Sequence, residues 1–146
     1  MNKKKAQAAI EFLFVVGFAM LLIIPSLALF GRFVEETAYT ATTSQVNKIG
    51  NYMVTTAVQV YQGTNSSMLV IEVNLPDGVQ NLTIVNQNEI VFGINIGGAE
   101  TEQVYYSEVP LNGTFDASDV VKGMKKFKFT ATDSGTVVYI ERIRKY

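Results

Sequence analysis

Residues 1–31 read MNKKKAQAAIEFLFVVGFAMLLIIPSLALFG, and the way this stretch is read decides the fold. Phe12 to Phe30 is a run of 19 residues without a charge. As a helix it would rise about 28 Å, close to the hydrocarbon thickness of a bilayer. Lys3, Lys4 and Lys5 stand immediately before the run, while the other flank offers only Arg32, balanced by Glu35 and Glu36. This basic bias places the N-terminus in the cytoplasm and Gly31 onward outside. The expectation is a membrane-inserted chain that meets the lipid bilayer first and carries one small extracytoplasmic domain.

Two simpler readings compete. A secretory signal peptide would use Lys3 to Lys5 as its basic region and Ser26-Leu27-Ala28 as a small-x-small cleavage site. The apolar run, however, exceeds the usual length of about 7 to 15 residues, and Glu11 stands where the apolar region should begin. A plain membrane anchor also leaves Glu11 unexplained. A carboxylate at the start of a lipid-embedded or helix-packed segment is costly to desolvate and is retained when it has a partner or a role.

Outward from the run, nothing in Gly31 to Tyr61 decisively stops a helix. Val46, Ile49, Met53, Ala57 and Val60 recur at three- and four-residue steps, giving one apolar face on a Thr-, Gln- and Asn-rich segment. One helix from about Ala8 to Tyr61 is predicted, apolar all round in its first half and amphipathic in its second. Pro25 lacks a backbone donor and clashes with the preceding turn, so a helix bend or loosened stretch is expected at Leu21 to Pro25.

After Gln62-Gly63-Thr64-Asn65-Ser66-Ser67 the apolar period changes to two. Strands are predicted at Met68–Asn74, Val79–Val85, Glu89–Ile96, Val104–Val109, Lys125–Thr130 and Thr136–Ile143, with Gly97-Gly98 as a break and Pro110 to Thr114 as a turn. Alternation in Lys125-Lys126-Phe127-Lys128-Phe129 points Phe127 and Phe129 inward. The fold class expected is therefore α+β: a long N-terminal helix, apolar in its first half, packed by its second half against a small, mostly antiparallel β-sheet head. A sheet of this size needs the helix as a lid to bury enough area.

The 146-residue chain has a formal charge of −1 and contains neither Cys nor His. A near-neutral chain without a dominant basic face argues against nucleic acid as partner. With no thiolate and no imidazole, disulfides, the commonest zinc ligands and the usual near-neutral acid–base residue are all missing, so no cofactor, no metal and no catalytic residues are expected. Asp116-x-x-Asp119 reads as a solvated turn or helix cap, and Lys122, Lys125, Lys126 and Lys128, like Arg142, Arg144 and Lys145, as solvated faces. Three sequons, at Asn65, Asn81 and Asn112, are acceptors for N-linked glycan, and the first and third fall at predicted turns.

The string KKKAQAAIEF, followed by the long apolar run, resembles the class III (prepilin-type) signal sequence of archaeal type IV-like pilins, in which a Gln follows the cleavage point and a Glu-Phe pair lies a few residues beyond. The matching residues are Gln7, Glu11 and Phe12; Ala6 stands where Gly is commonest, and Ala9 where Ser is frequent. The resemblance implies cleavage between Ala6 and Gln7 by a prepilin peptidase at the cytoplasmic membrane face. It also implies passage through a pilus assembly platform and polymerisation with identical or related pilin subunits into a surface filament. In that setting Gln7, Glu11 and Phe12 would be assembly or register residues, because the ammonium created at Gln7 lies one helical turn from the Glu11 carboxylate. The domain reading is then residues 1–6 as leader, 7–31 as membrane and filament-core helix, 32–62 as its amphipathic continuation, and 63–146 as an extracellular β-rich head. A non-polymerising membrane-anchored binding module is the alternative, and an enzyme comes last.

Overall fold

The computed structural model describes residues 3–63, 67–132 and 136–144, with side chains from Gln7 onward. Its order is one helix, α1 (Lys3–Gln62), then strands β1 (Met68–Leu75), β2 (Val79–Val85), β3 (Glu89–Ile96), β4 (Ala99–Tyr106) and β5 (Leu111–Asn112), a 3-10 turn (Ala117–Asp119), and strands β6 (Gly123–Ala131) and β7 (Val138–Arg142). The chain forms two compact units, Met1–Ala38 and Tyr39–Tyr146.

The first unit is helix alone. Every large apolar side chain from Ile10 to Val34 is exposed, from 38% at Val16 to 77% at Phe14. The helical backbone continues through Pro25. The next residue, Ser26, donates its hydroxyl to the Leu22 carbonyl at 2.7 Å. A missing amide donor and a back-bonding serine thus adjoin within one turn, a combination that favours bending.

The second unit contains the core. On the last part of α1, Val46, Ile49, Met53, Ala57 and Val60 are all buried, the stripe that the three- and four-residue spacing predicts. They join Ile71 and Leu75 of β1, Ile90, Phe92 and Ile94 of β3, Phe127 and Phe129 of β6 and Val138 and Ile140 of β7 in one cluster. The helix approaches β4 so closely that a Cβ at Gly50 would overlap the Tyr105 ring. Tyr105 also meets Phe92 edge to face, with ring centroids 5.9 Å apart.

The strands form two sheets, of order β1-β6-β7-β5 and β2-β3-β4. All pairings are antiparallel except β5 with β7. The predicted six strands become seven among the described residues, for local reasons. Gly97 and Gly98, at φ +61° and +85°, do not end the sheet but form a two-residue hairpin turn, so β4 begins at Ala99 and finishes at Tyr106 rather than running Val104–Val109. Within the expected turn at Pro110 to Thr114, the Pro110 carbonyl accepts from the Val138 N–H at 2.9 Å, and Leu111–Asn112 pairs with β7 as β5.

Candidate assembly surface and the polar sites of the head

In the first unit the sequence-selected residues lie on one helix. Ala6 is within α1, its side chain outside the described set. Gln7 Nε2 donates to Glu11 Oε1 at 3.5 Å, the i, i+4 geometry that puts Gln7 one turn from the carboxylate. Phe12 is 70% exposed. The most apolar window of the helix has a mean hydropathy of 2.6 and none of its residues is buried. A helix that is apolar all round and wholly uncovered needs lipid or other helices as its solvent. Around Gly17, where nothing fills the space of a Cβ, Ile10, Leu13, Phe14, Phe18 and Leu21 border an open apolar notch of about 470 Å³.

In the second unit the two acidic residues of Asp116-x-x-Asp119 part company. Asp116 is exposed, but Asp119 is buried, so the solvated half of the reading is corrected for Asp119 while the helix-cap half holds. Asp119 Oδ2 accepts the Asp116 N–H at 2.8 Å, capping the 3-10 turn, while Arg142 Nη1 donates to Asp119 Oδ1 at 2.9 Å and Arg144 Nη2 to Asp116 Oδ2 at 2.6 Å. Burial pushes the Asp119 carboxyl up. The Asp116 N–H, both guanidinium groups and the Coulomb attraction of Arg144 outweigh it and hold the carboxyl below its ordinary value of 3.8. Its acidic partners in turn raise the Arg144 pKa further. Arg142 and Arg144 are therefore clamp residues, and local sequence carries no signal for this, since the partners lie 23 to 28 positions away.

Three of the four lysines of β6 and the preceding loop are also partnered: Lys122 with Asp77 at 3.6 Å, Lys126 with Glu72 at 3.8 Å, and Lys128 with Glu141. Such half-exposed pairs contribute little stability but neutralise the local positive field. From Ile49 to Val121 the sequence contains no Lys or Arg, and Glu89, Glu100, Glu102 and Glu108 around the β2-β3-β4 sheet enter no ion pair among the described residues.

Of the sequons, Asn65 lies outside the described residues. Asn112 is exposed within β5, not in a turn, and sits beside Tyr139 of β7. Asn81 is exposed on β2, an outer strand of its sheet, at a β-bulge between Val79 and Asn81. Its Oδ1 accepts the Gly93 N–H at 2.8 Å. No group of three or more His, Cys, Asp or Glu gathers as a metal site among the described residues. Comparison with protein-family models, with curated proteins and with solved structures found no match.

Proposed function

We propose that the chain is a pilin, a structural subunit of an extracellular type IV-like filament of the archaeal kind. It assembles through its N-terminal helix after removal of residues 1–6 and serves surface adhesion. The observation that carries this reading is the division of one continuous helix: its last part closes the core of the head, while every large apolar side chain from Ile10 to Val34 is left uncovered. A subunit that waits in a bilayer and then enters a helical bundle needs a segment suited to both surroundings.

The residues at the start of α1 support the same reading. Retained leader lysines would bring like charges from neighbouring subunits into a poorly hydrated centre, so cleavage between Ala6 and Gln7 precedes assembly. The new Gln7 ammonium of one subunit then meets the Glu11 carboxylate of its neighbour only at an axial offset near one helical turn. The pair sets register rather than affinity, because both charges must first be desolvated. The head faces outward, with Asn65, Asn81 and Asn112 as acceptors for N-linked glycan and with no catalytic role.

The test is the N-terminus of the protein sheared from cells. Gln7, free or cyclised, as first residue of an extracellular filament fraction is the expected result. Intact leader in that fraction, or a chain that stays wholly in the membrane, would favour the non-polymerising binding module instead.

A further inference from the structure

The sequon Asn112-Gly113-Thr114 lies at the free edge of the β1-β6-β7-β5 sheet, where β5 is two residues long and ends the row of strands. Leu111 is buried opposite Val138, so the next pair in register, Asn112 and Tyr139, stands together on the outward face. A Cβ at Gly113 would overlap the Ile140 carbonyl. The backbone that carries Asn112 and Thr114 therefore lies tight against β7. The sequons at Asn81 and Asn112 differ in freedom. Asn81 Oδ1 is held by the Gly93 N–H at 2.8 Å, whereas the exposed Asn112 carboxamide enters no side-chain hydrogen bond among the described residues. The Asn112 side chain is thus free to carry a substituent and to turn it.

Thr114 and Tyr139 also line a groove of about 710 Å³ that takes in Glu141 and Ile143 of the same outward row, together with Lys128 and Arg144. Its volume is that of a small-ligand site. Tyr139 and Ile143, each 39% exposed, give it apolar surface, and between them the Lys128–Glu141 ion pair presents both a donor and carboxylate acceptors. The Tyr139 ring stands one strand spacing, about 4.8 Å, from the backbone of the acceptor asparagine, within reach of the first sugar ring. A pyranose carries hydroxyls at its rim and C–H groups on its face, and this groove offers a counterpart to each. We propose that a glycan on Asn112 folds back over Tyr139 and lies along this groove instead of projecting into solvent.

The occupant is named by the chain itself, since the sequon fixes where a saccharide is attached and the register fixes which side chains it meets first. In the attachment step Asn112 Nδ2 forms a bond to the anomeric carbon of a saccharide activated as a lipid-linked phosphate ester. The bond from that carbon to the phosphate oxygen breaks, its electron pair leaves with the phosphate, and Nδ2 gives up one proton. Seated in the groove, the glycan covers Tyr139 and Ile143 and exchanges hydrogen bonds with Lys128 and Glu141. The inference rests on the reading of the head as extracytoplasmic, and its test does not depend on polymerisation.

The experiment takes the full chain from cells, from the membrane and the sheared fractions alike, weighs the Asn112 peptide and footprints the surface with hydroxyl radicals. Saccharide mass on Asn112 is expected, with several-fold less oxidation of Tyr139 and Ile143 than in Asn112→Gln. Tyr106, on the other sheet, should be oxidised equally in both. Thr114→Ser keeps the sequon and should keep the protection, while Thr114→Ala should lose it, which ties the protection to the sugar and not to a disturbed fold. A glycan on Asn112 that leaves Tyr139 as oxidised as in Asn112→Gln projects into solvent and overturns the proposal. So does a bare Asn112 in both fractions. The N-terminus of the same samples decides the filament reading separately: an intact leader with a protected Tyr139 would sink the filament and leave the groove.

Discussion

The two parts of α1 are one helix with opposite designs. Up to Ala38 its apolar side chains point in every direction and none of the large ones from Ile10 to Val34 is covered; from Tyr39 on, a Val46–Ile49–Met53–Ala57–Val60 stripe is buried, with Val54 and Val58 partly buried beside it and Tyr39, Tyr52 and Tyr61 left exposed. Backbone conformation is therefore common to both, and what differs is the periodicity of the side chains. The stripe answers to a partner within the same chain. The uncovered segment has no such partner among the described residues, and on the proposed function its partner is lipid or other copies. The comparison also explains why single substitutions should separate membrane and assembly phenotypes from folding phenotypes.

The largest effect is expected in the uncovered part. Leu21→Lys places a charge in the middle of the apolar run, at a cost to membrane insertion of about 3 kcal/mol. Membrane fractionation should show loss of the inserted precursor and with it loss of filaments. A variant that inserted and assembled normally would remove the requirement for an apolar first half.

On the other side of the comparison, Met53→Ala removes a fully buried side chain from the stripe. Cavity formation should lower the stability of the head by about 3 kcal/mol, read by chemical denaturation in detergent, while membrane insertion stays at the level of the unaltered chain. The two variants together form a double dissociation, and overlap of their phenotypes would break it.

The Asp119 clamp has a smaller effect that depends on pH. Asp119→Asn leaves Arg142 without its buried carboxylate, a loss of about 2 kcal/mol, less than for a fully buried pair because both arginines reach solvent. The folded-state pKa of Asp119 lies below its unfolded value, so its contribution is complete above about pH 3.8 and is lost as pH falls through the depressed folded value. Thermal melts of the unaltered and Asp119→Asn chains should therefore differ at neutral pH and converge in acid below that window. The smallest effect belongs to the exposed pair of Lys126 and Glu72, where Glu72→Gln should change stability by less than about 0.5 kcal/mol at physiological salt.

What could be read from the sequence follows the same division. The helix stripe, the inward Phe127 and Phe129, and the bounds of β2 and β3 were legible because each is a local period written in side-chain polarity. Strand β4 was displaced because Ala99-Glu100-Thr101-Glu102-Gln103 has no apolar alternation: as an outer strand it is held by backbone pairing to β3 and needs no hydrophobic signal. The partition into two sheets, the parallel β5–β7 pair and the Asp119 clamp join residues far apart in sequence, where no local pattern points to the partner. At the start of α1, Gln7 and Glu11 came from the resemblance of a short motif, and the row of Asn81, Gly93 and Glu102 became visible only through the strand register.

The central claim is that the uncovered part of α1 is covered by other copies of itself once the chain leaves the membrane. Its most direct test is a photo-crosslinking amino acid at Phe14 in the full chain, irradiated in sheared extracellular material and compared with the same probe at the exposed Asn51 of the second unit. Covalent dimers linking position 14 to residues 7–38 of another copy, with far fewer from position 51, are the result predicted here. Lipid adducts alone at position 14, or copy-to-copy links confined to the head, would contradict it.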